Sequence, residues 1–440
     1  MRTRAGWIAL VLTGGLAWTP ATVQAQGGLD VSGREAQPII PLPVYSGRPE
    51  SGGFYAAFEY VMYRQIRHLD DQVIAYRGLV DVDGSVQQDL GGTWLLIGDP
   101  PQSTFVTGPP GPPGTFLGSG VPALRASDLN SKWTYQPGFR STLGWRFRDG
   151  STFEARWLHV RDARYDASAD IIPPGFAVGP NQVDTFLFSP VYNFTIDFAG
   201  PGQQLGVGNP GATYGIWNAA SEMHISMTQR YNQADFLGKV PVRTSEIART
   251  YFIASGRFAW VWERFKWRTV ARDNTGAATP RDVAWYTNTV SNRMYGPALG
   301  LQQDLYLGTF GRIGAFSLAF QADAAGMMNI AKQRAKYELG DESASNRKSV
   351  TEYTFVPMLN GEIQLTWYPA AGIQVRLSWN SLMFMNTVHA TNPVSFNFGN
   401  IGRTNDFGPE PFAPNSSLPI WERRAIHYFD GINFGVALSF

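Results

Sequence analysis

Six arginines, Arg140, Arg146, Arg156, Arg230, Arg257 and Arg376, stand on the polar faces of alternating segments together with Glu154, Glu222, Glu263, Asp304 and Glu362. Cations and carboxylates enclosed together pair across strands and satisfy one another's charge. A surplus of arginine over its partners would instead favour anions in an aqueous passage. His224 shares such a face with Ser226, the one Ser–His arrangement the chain offers. Residues i and i+2 of a strand are neighbours by geometry alone, so His224 reads as an ordinary inward polar residue and not as a catalytic base.

Other chemical signatures fail on context. The run from Gly206 to Gly211 has the glycine spacing of a phosphate-cradling loop, but no apolar strand precedes it, no helix follows and Pro210 interrupts it. Asp81-Val82-Asp83-Gly84 begins like a calcium loop, lacks the remaining ligands and reads as a turn. The histidines His68, His159, His224, His389 and His427 are scattered, and the chain has no cysteine. No catalytic residue, metal or cofactor is expected.

The elements that would position the charged set are strands. In Phe139 to Phe147, one face carries Phe139, Leu143, Trp145 and Phe147, the other Arg140, Thr142, Gly144 and Arg146. Arg148-Asp149-Gly150 is expected to be a three-residue hairpin loop with a left-handed Gly150, which pairs Trp145 with Phe153 and keeps the aromatic sets together. Similar splits follow in Phe153 to Trp157, Trp217 to Tyr231 and Phe252 to Glu263. They recur in Leu359 to Trp367, Ile373 to Asn380 and Ile432 to Phe440. About ten such strands are expected, each reaching the roughly 9–11 residues a tilted strand needs to cross a bilayer.

Of the 440 residues, 44% are hydrophobic, 14% aromatic and only 16% charged, which excludes a disordered chain. Lys+Arg 36 against Asp+Glu 35 excludes a broad basic surface for nucleic acid. Residues 1–25 read as a signal peptide, with Arg2 and Arg4 ahead of an apolar stretch and small residues near Ala25 for cleavage. Residues 26–51 form a Pro/Gly-rich periplasmic lead-in, and 52–440 the folded body.

The polar faces are rich in Gly, Ser, Thr, Asn and Gln and poor in Lys, which favours an enclosed wet lumen over a solvated sandwich face. Trp145, Phe153, Trp157, Trp217, Trp260, Trp262, Trp367 and Trp379 are expected on the opposite face, as the aromatic girdles of a lipid-facing band. Connections alternate between short, such as 148–150 and 308–312, and long, such as 64–137, 162–215, 265–292, 329–349 and 383–424. The intermediate 232–248 connection fits least well, and a further strand pair in 64–137 or 162–215 would raise the count to twelve. A last strand closing on Phe440 has the form of the terminal signal by which the barrel assembly machinery recognises its clients.

Several segments resemble the beta-barrel porin 7 family of outer-membrane proteins: Gly144-Trp145-Arg146-Phe147 with Asp149-Gly150-Ser151; Gly256-Arg257-Phe258-Ala259-Trp260-Val261-Trp262-Glu263-Arg264-Phe265; and Gly431-Ile432-Asn433-Phe434-Gly435. The resemblance implies an outer-membrane location and a barrel, and says little about cargo. The combined expectation is an all-β, closed antiparallel transmembrane β-barrel of ten to twelve strands with long extracellular loops. It would lie among lipid in the outer membrane of a Gram-negative-type envelope. Passive or weakly selective passage of small hydrophilic solutes is the first functional expectation, and a non-conducting barrel whose loops bind a partner or envelope polymer the second.

Overall fold

The computed structural model of the chain describes residues 53–66, 69, 71–81, 92–97, 102–107, 115–132, 134–170, 182–189, 217, 220–245, 247–272, 276–343, 345–370, 372–389 and 424–439. The expected signal peptide, the lead-in, the Gly206–Gly211 run and Phe440 lie outside them.

Ten strands close a barrel: β1 (Gly53–Ile66), β6 (Gln136–Arg146), β7 (Thr152–Asp170), β9 (Glu222–Thr244), β10 (Ala248–Val270), β11 (Val283–Thr309), β12 (Ala315–Leu339), β13 (Ser345–Ala370), β14 (Ile373–Val388) and β15 (Arg424–Ser439). Every neighbouring pair is antiparallel, and β1 seals the ring by pairing with both β6 and β15. Five further strands, β2 (Val73–Asp81), β3 (Gly92–Ile97), β4 (Gln102–Thr107), β5 (Thr115–Arg125) and β8 (Gln182–Phe188), form separate sheets in the order β5-β2-β8 and β3-β4. The strands that the two longest connections hold are therefore not wall strands, and the wall count stays at ten.

Turn chemistry sets the register. Trp145 pairs with Phe153, Phe147 N–H donates to the Ser151 carbonyl at 2.9 Å, and Gly150 has φ of 85°. This is the odd hairpin that keeps both aromatics on one face. The other connections at this end are short as well, at 245–247, 310–314 and 371–372. The 232–248 connection shrinks because β9 runs on to Thr244.

At the opposite end, two expected long loops are largely strand. β10 continues to Val270 and β12 to Leu339, leaving 271–282 and 340–344 as connections in place of 265–292 and 329–349. The cause is a reversal of polarity along each long strand. In the lower part of β9 Phe236 and Val240 are exposed while Gln233 and Asp235 are buried. In its upper part Met223, Ile225 and Met227 are fully buried, while Ser226 and Thr228 are on the outward face. Alternation persists, but its sign flips where the wall leaves the apolar band.

Inside the upper wall sits a cap. Met223, Ile225, Met227, Phe265, Trp267 and Tyr286 pack against Ile74, Ala75, Leu124, Leu129, Leu187 and Trp217 from the smaller sheet and its flanks. Burial of these side chains, each worth about 1.5–3 kcal/mol when complete, explains why apolar residues face inward there. Trp217 is thus not a membrane-interface aromatic. It is 1% exposed, its ring centroid 4.6 Å from that of Trp267.

Candidate functional site: the barrel interior

The interior is built in layers by the inward residues of each strand. Nearest the short turns lies a polar mouth. Glu154 is held by Tyr55 OH at 2.6 Å, Arg156 Nη2 at 2.6 Å and Lys239 Nζ at 3.1 Å. Arg146, Asp304 and Arg376 line the same cavity of about 110 Å³, and Arg249 donates to the Tyr251 hydroxyl at its edge. Around this mouth Arg146, Arg156, Lys239, Arg249 and Arg376 outnumber Glu154, Asp304 and Glu362.

One layer further in, charges tie the wall across the bore. Arg140 Nε lies 2.5 Å from Glu59 Oε2, and Arg140 Nη2 lies 2.6 Å from Glu362 Oε1. The strands carrying Arg140 and Glu362 are four positions apart around the ten-strand ring. Arg257 bridges Asp235 at 2.7 Å and Asp323 at 2.6 Å. All six side chains are buried, and charges this deep hold only because each is paired and hydrogen-bonded.

Above the charges an apolar layer fills the barrel. Tyr231 and Phe384 stand on diametrically opposite strands, yet their ring centroids are 6.0 Å apart, and Tyr231 stacks on Phe429 at 4.5 Å. Val61, Tyr63, Met294, Met327 and Val356 complete the layer. Tyr63 lies across from Gly431, where a Cβ would come within 2.6 Å of its ring. Glycine there is what lets the ring lie flat against the neighbouring strand.

A second polar layer follows. Gln65 Nε2 donates to Glu263 Oε1 at 2.8 Å, and His427 Nε2 meets the same oxygen at 3.2 Å from the opposite wall. Thr387 Oγ1 bonds His427 Nδ1 at 2.6 Å, and His389 stacks on His427 with centroids 3.5 Å apart. Two histidines that look isolated in sequence therefore meet in space. Strand alternation assigned neither to a face, because His389 lies one residue past β14 and His427 stands near the start of β15. Among the described residues no three His, Asp or Glu side chains gather as a metal site.

The predicted set divides accordingly. Arg140, Arg146, Glu154, Arg156, Arg257, Glu263, Glu362 and Arg376 are on the inner face. Glu222, His224 and Arg230 are not: they lie on the outer face of upper β9, where the inward positions belong to Met223, Ile225 and the cap. His224 Nε2 is 3.5 Å from Asp166 Oδ1, and Arg230 is bonded to Asp162 at 2.7 Å, both partners being on the same outer surface. Trp145, Phe153, Trp157 and Trp379 are exposed on the outside of the wall. Trp260, Trp262 and Trp367 share that face half-buried, Trp367 donating to the Ile313 carbonyl at 2.7 Å. The sequence reading missed Glu59, Asp235 and Asp323 as partners, and it missed the aromatic layer. Their strand faces were readable, but their heights and cross-bore neighbours depend on closure.

No protein-family model matches the chain, and no curated protein matches it. Its resemblance to the beta-barrel porin 7 family therefore rests on the quoted segments alone. Among solved structures it is similar to the outer membrane protease OmpT from Escherichia coli, at 10% identity over 88% of this chain and 97% of that one, with a TM-score of 0.38. It is also similar to a TodX monoaromatic hydrocarbon channel mutant, at 9% identity over 89% and 90% with a TM-score of 0.21. An anion-selective porin from Comamonas acidovorans follows at 9% over 88% and 100%, with a TM-score of 0.10. Similarities this loose carry no weight for chemistry, and the barrel stands on its own strand pairing.

Proposed function

We propose that this chain is an outer-membrane barrel that does not conduct: a sealed scaffold that anchors a capped, polar rim for contact with a partner or envelope polymer. The membrane placement is supported by the exposed girdle. On β11 the outward residues Tyr295, Leu299, Leu301 and Leu307 are exposed. The stretch from Tyr295 to Leu307 covers roughly 40 Å of strand, or roughly 30 Å of height at the usual tilt, matching a hydrocarbon core. The short turns all lie at one end of the wall and the longer connections at the other, which supports assigning the short-turn end to the periplasm.

The observation that carries the non-conducting reading is the meeting of opposite walls. Arg140–Glu362, His427–Glu263 and Tyr231–Phe384 each span the bore. An eight-stranded barrel is filled by side chains and sixteen to eighteen strands leave a channel, so ten strands packed this way resemble the former. The wet lumen expected from composition is replaced by paired charges and an apolar layer. A second reading, passage of small anions, draws on the cation surplus at the mouth and requires those layers to open. Planar-bilayer recording of the refolded full chain tests both. Silence from a heat-modifiable, folded barrel is expected, and discrete anion-selective current steps would overturn the sealed reading in favour of the second.

A further inference from the structure

The outer face of β10 to β13 can be followed rung by rung through the strand register. Phe258, Tyr295, Met328 and Phe355 form one continuous apolar rung. The next rung toward the long-loop end is Trp260, Arg293, Ile330 and Tyr353, where indole and phenol mark the head-group level. The three rungs beyond it carry Lys332, then Arg264 and Arg334, then Lys266, Lys336 and Arg347. Arg264, Lys266, Lys332, Arg334 and Arg347 are exposed.

Three cations of this sector stand without an acidic partner among the described residues: Lys336 reaches Glu338, but Arg264, Lys332 and Arg334 reach none. Two outward arginines on other strands are matched. Arg230 is tied to Asp162, and Arg64 to Asp430, which Tyr135 also contacts. Arginines of this sector also lie over aromatics of the boundary. The Arg264 guanidinium lies 5.0 Å from the Trp262 ring, and Arg293 lies 6.0 Å from Trp260.

We propose that this sector is a binding site for the phosphorylated head group of a lipid in the outer leaflet. Its acyl chains would lie on the Phe258–Phe355 rung and its phosphates against Arg264, Arg293, Lys332 and Arg334. The contiguity of the apolar rung, the aromatic boundary and the unpaired cations selects a lipid over a soluble anion, because only a lipid presents hydrocarbon and phosphate at these two heights together. The assignment rests on the membrane placement proposed above.

The test uses the refolded full chain in phosphatidylcholine vesicles doped with a diphosphorylated glycolipid, or with the same glycolipid stripped of phosphate. Glycolipid retained per barrel is counted after extraction, for wild type and for the triple variant Arg264→Gln/Lys332→Gln/Arg334→Gln. A control variant, Arg161→Gln/Arg164→Gln, changes cations exposed on β7. Retention of the phosphorylated form is expected to fall at least tenfold in the triple variant, the scale being about fivefold per cation beside an anionic surface. The control should retain it as wild type does, and the dephosphorylated form should not be enriched. Equal retention by the triple variant, enrichment without phosphate, or equally strong binding of inorganic polyphosphate in detergent would overturn the assignment. Failure to insert into pure phosphatidylcholine as a heat-modifiable barrel would instead overturn the membrane placement.

Discussion

At the scale of single residues, the interior depends on partners more than on composition. Arg140 holds one carboxylate on the adjacent strand and one four strands away, so Arg140→Ala would strand Glu59 and Glu362 without their shared cation. A loss of about 3–5 kcal/mol is expected, the cost of breaking a buried pair from one side. The measurement is the shift in urea midpoint of the folded barrel, and an unchanged midpoint would show that the bridge is dispensable. The face of Arg140 was legible because Phe139 and Leu143 flank it with opposite polarity. Its partners were not, since two-residue periodicity reports a direction and carries no information on height or on what stands across a closed ring. The pairing of Glu263 with His427 was hidden for the same reason: 164 residues separate them.

At the scale of elements, the lower part of β10, β11 and β12 was readable and the upper part was mistaken for loop, whereas on β9 the upper part was read as strand and the lower part as connection. On β9 the polar run Glu222, His224, Ser226 and Thr228 was correctly separated from Met223, Ile225 and Met227, but assigned to the wrong side. Alternation alone cannot say which face meets water, and only the cap explains the choice. The boundary itself is testable. Leu299→Arg, in the middle of the exposed band, should cost about 2–4 kcal/mol, whereas Thr289→Arg, three outward positions above the last apolar rung of the same strand, should cost about 0–1. Folding free energies in phospholipid vesicles would check the pair, and equal costs would mean the band ends elsewhere. Close approach gives another test. Gly431→Val would drive a side chain into the fully buried Tyr63 ring, and the fraction of heat-modifiable barrel after refolding should drop sharply.

At the scale of the whole molecule, wall and cap answer to different solvents. The wall is continuous antiparallel sheet without a free edge. The cap is joined to itself partly by exposed polar ties, among them Arg125 to Asp71 at 2.5 Å and Ser127 to Asp71 at 2.8 Å. Those hydrogen bonds hold the Asp71 carboxyl below its ordinary value. A depressed carboxyl contributes stability that is present above the unfolded value of about 4 and lost as pH falls through the folded one. Asp71→Asn should therefore exchange amide hydrogens in β2 and β5 somewhat faster than wild type at pH 7, and the gap should close toward pH 2. The tie is exposed and salt-screened, so a large gap is not expected. A gap that widened on acidification would contradict the sign.

The reversal of polarity along β9 to β12 fixes more than which residues meet the cap. Below the Trp260–Tyr353 rung the exterior shuns water, and two rungs higher it is lined with cations. Vertical sliding in either direction would then strip charge of its hydration or bare hydrocarbon. A bilayer thicker or thinner than the girdle has to pinch or swell around such a protein, at a fraction of a kcal/mol for each ångström of mismatch. The annulus would thereby favour membranes of one thickness over others, with no receptor needed to make the choice.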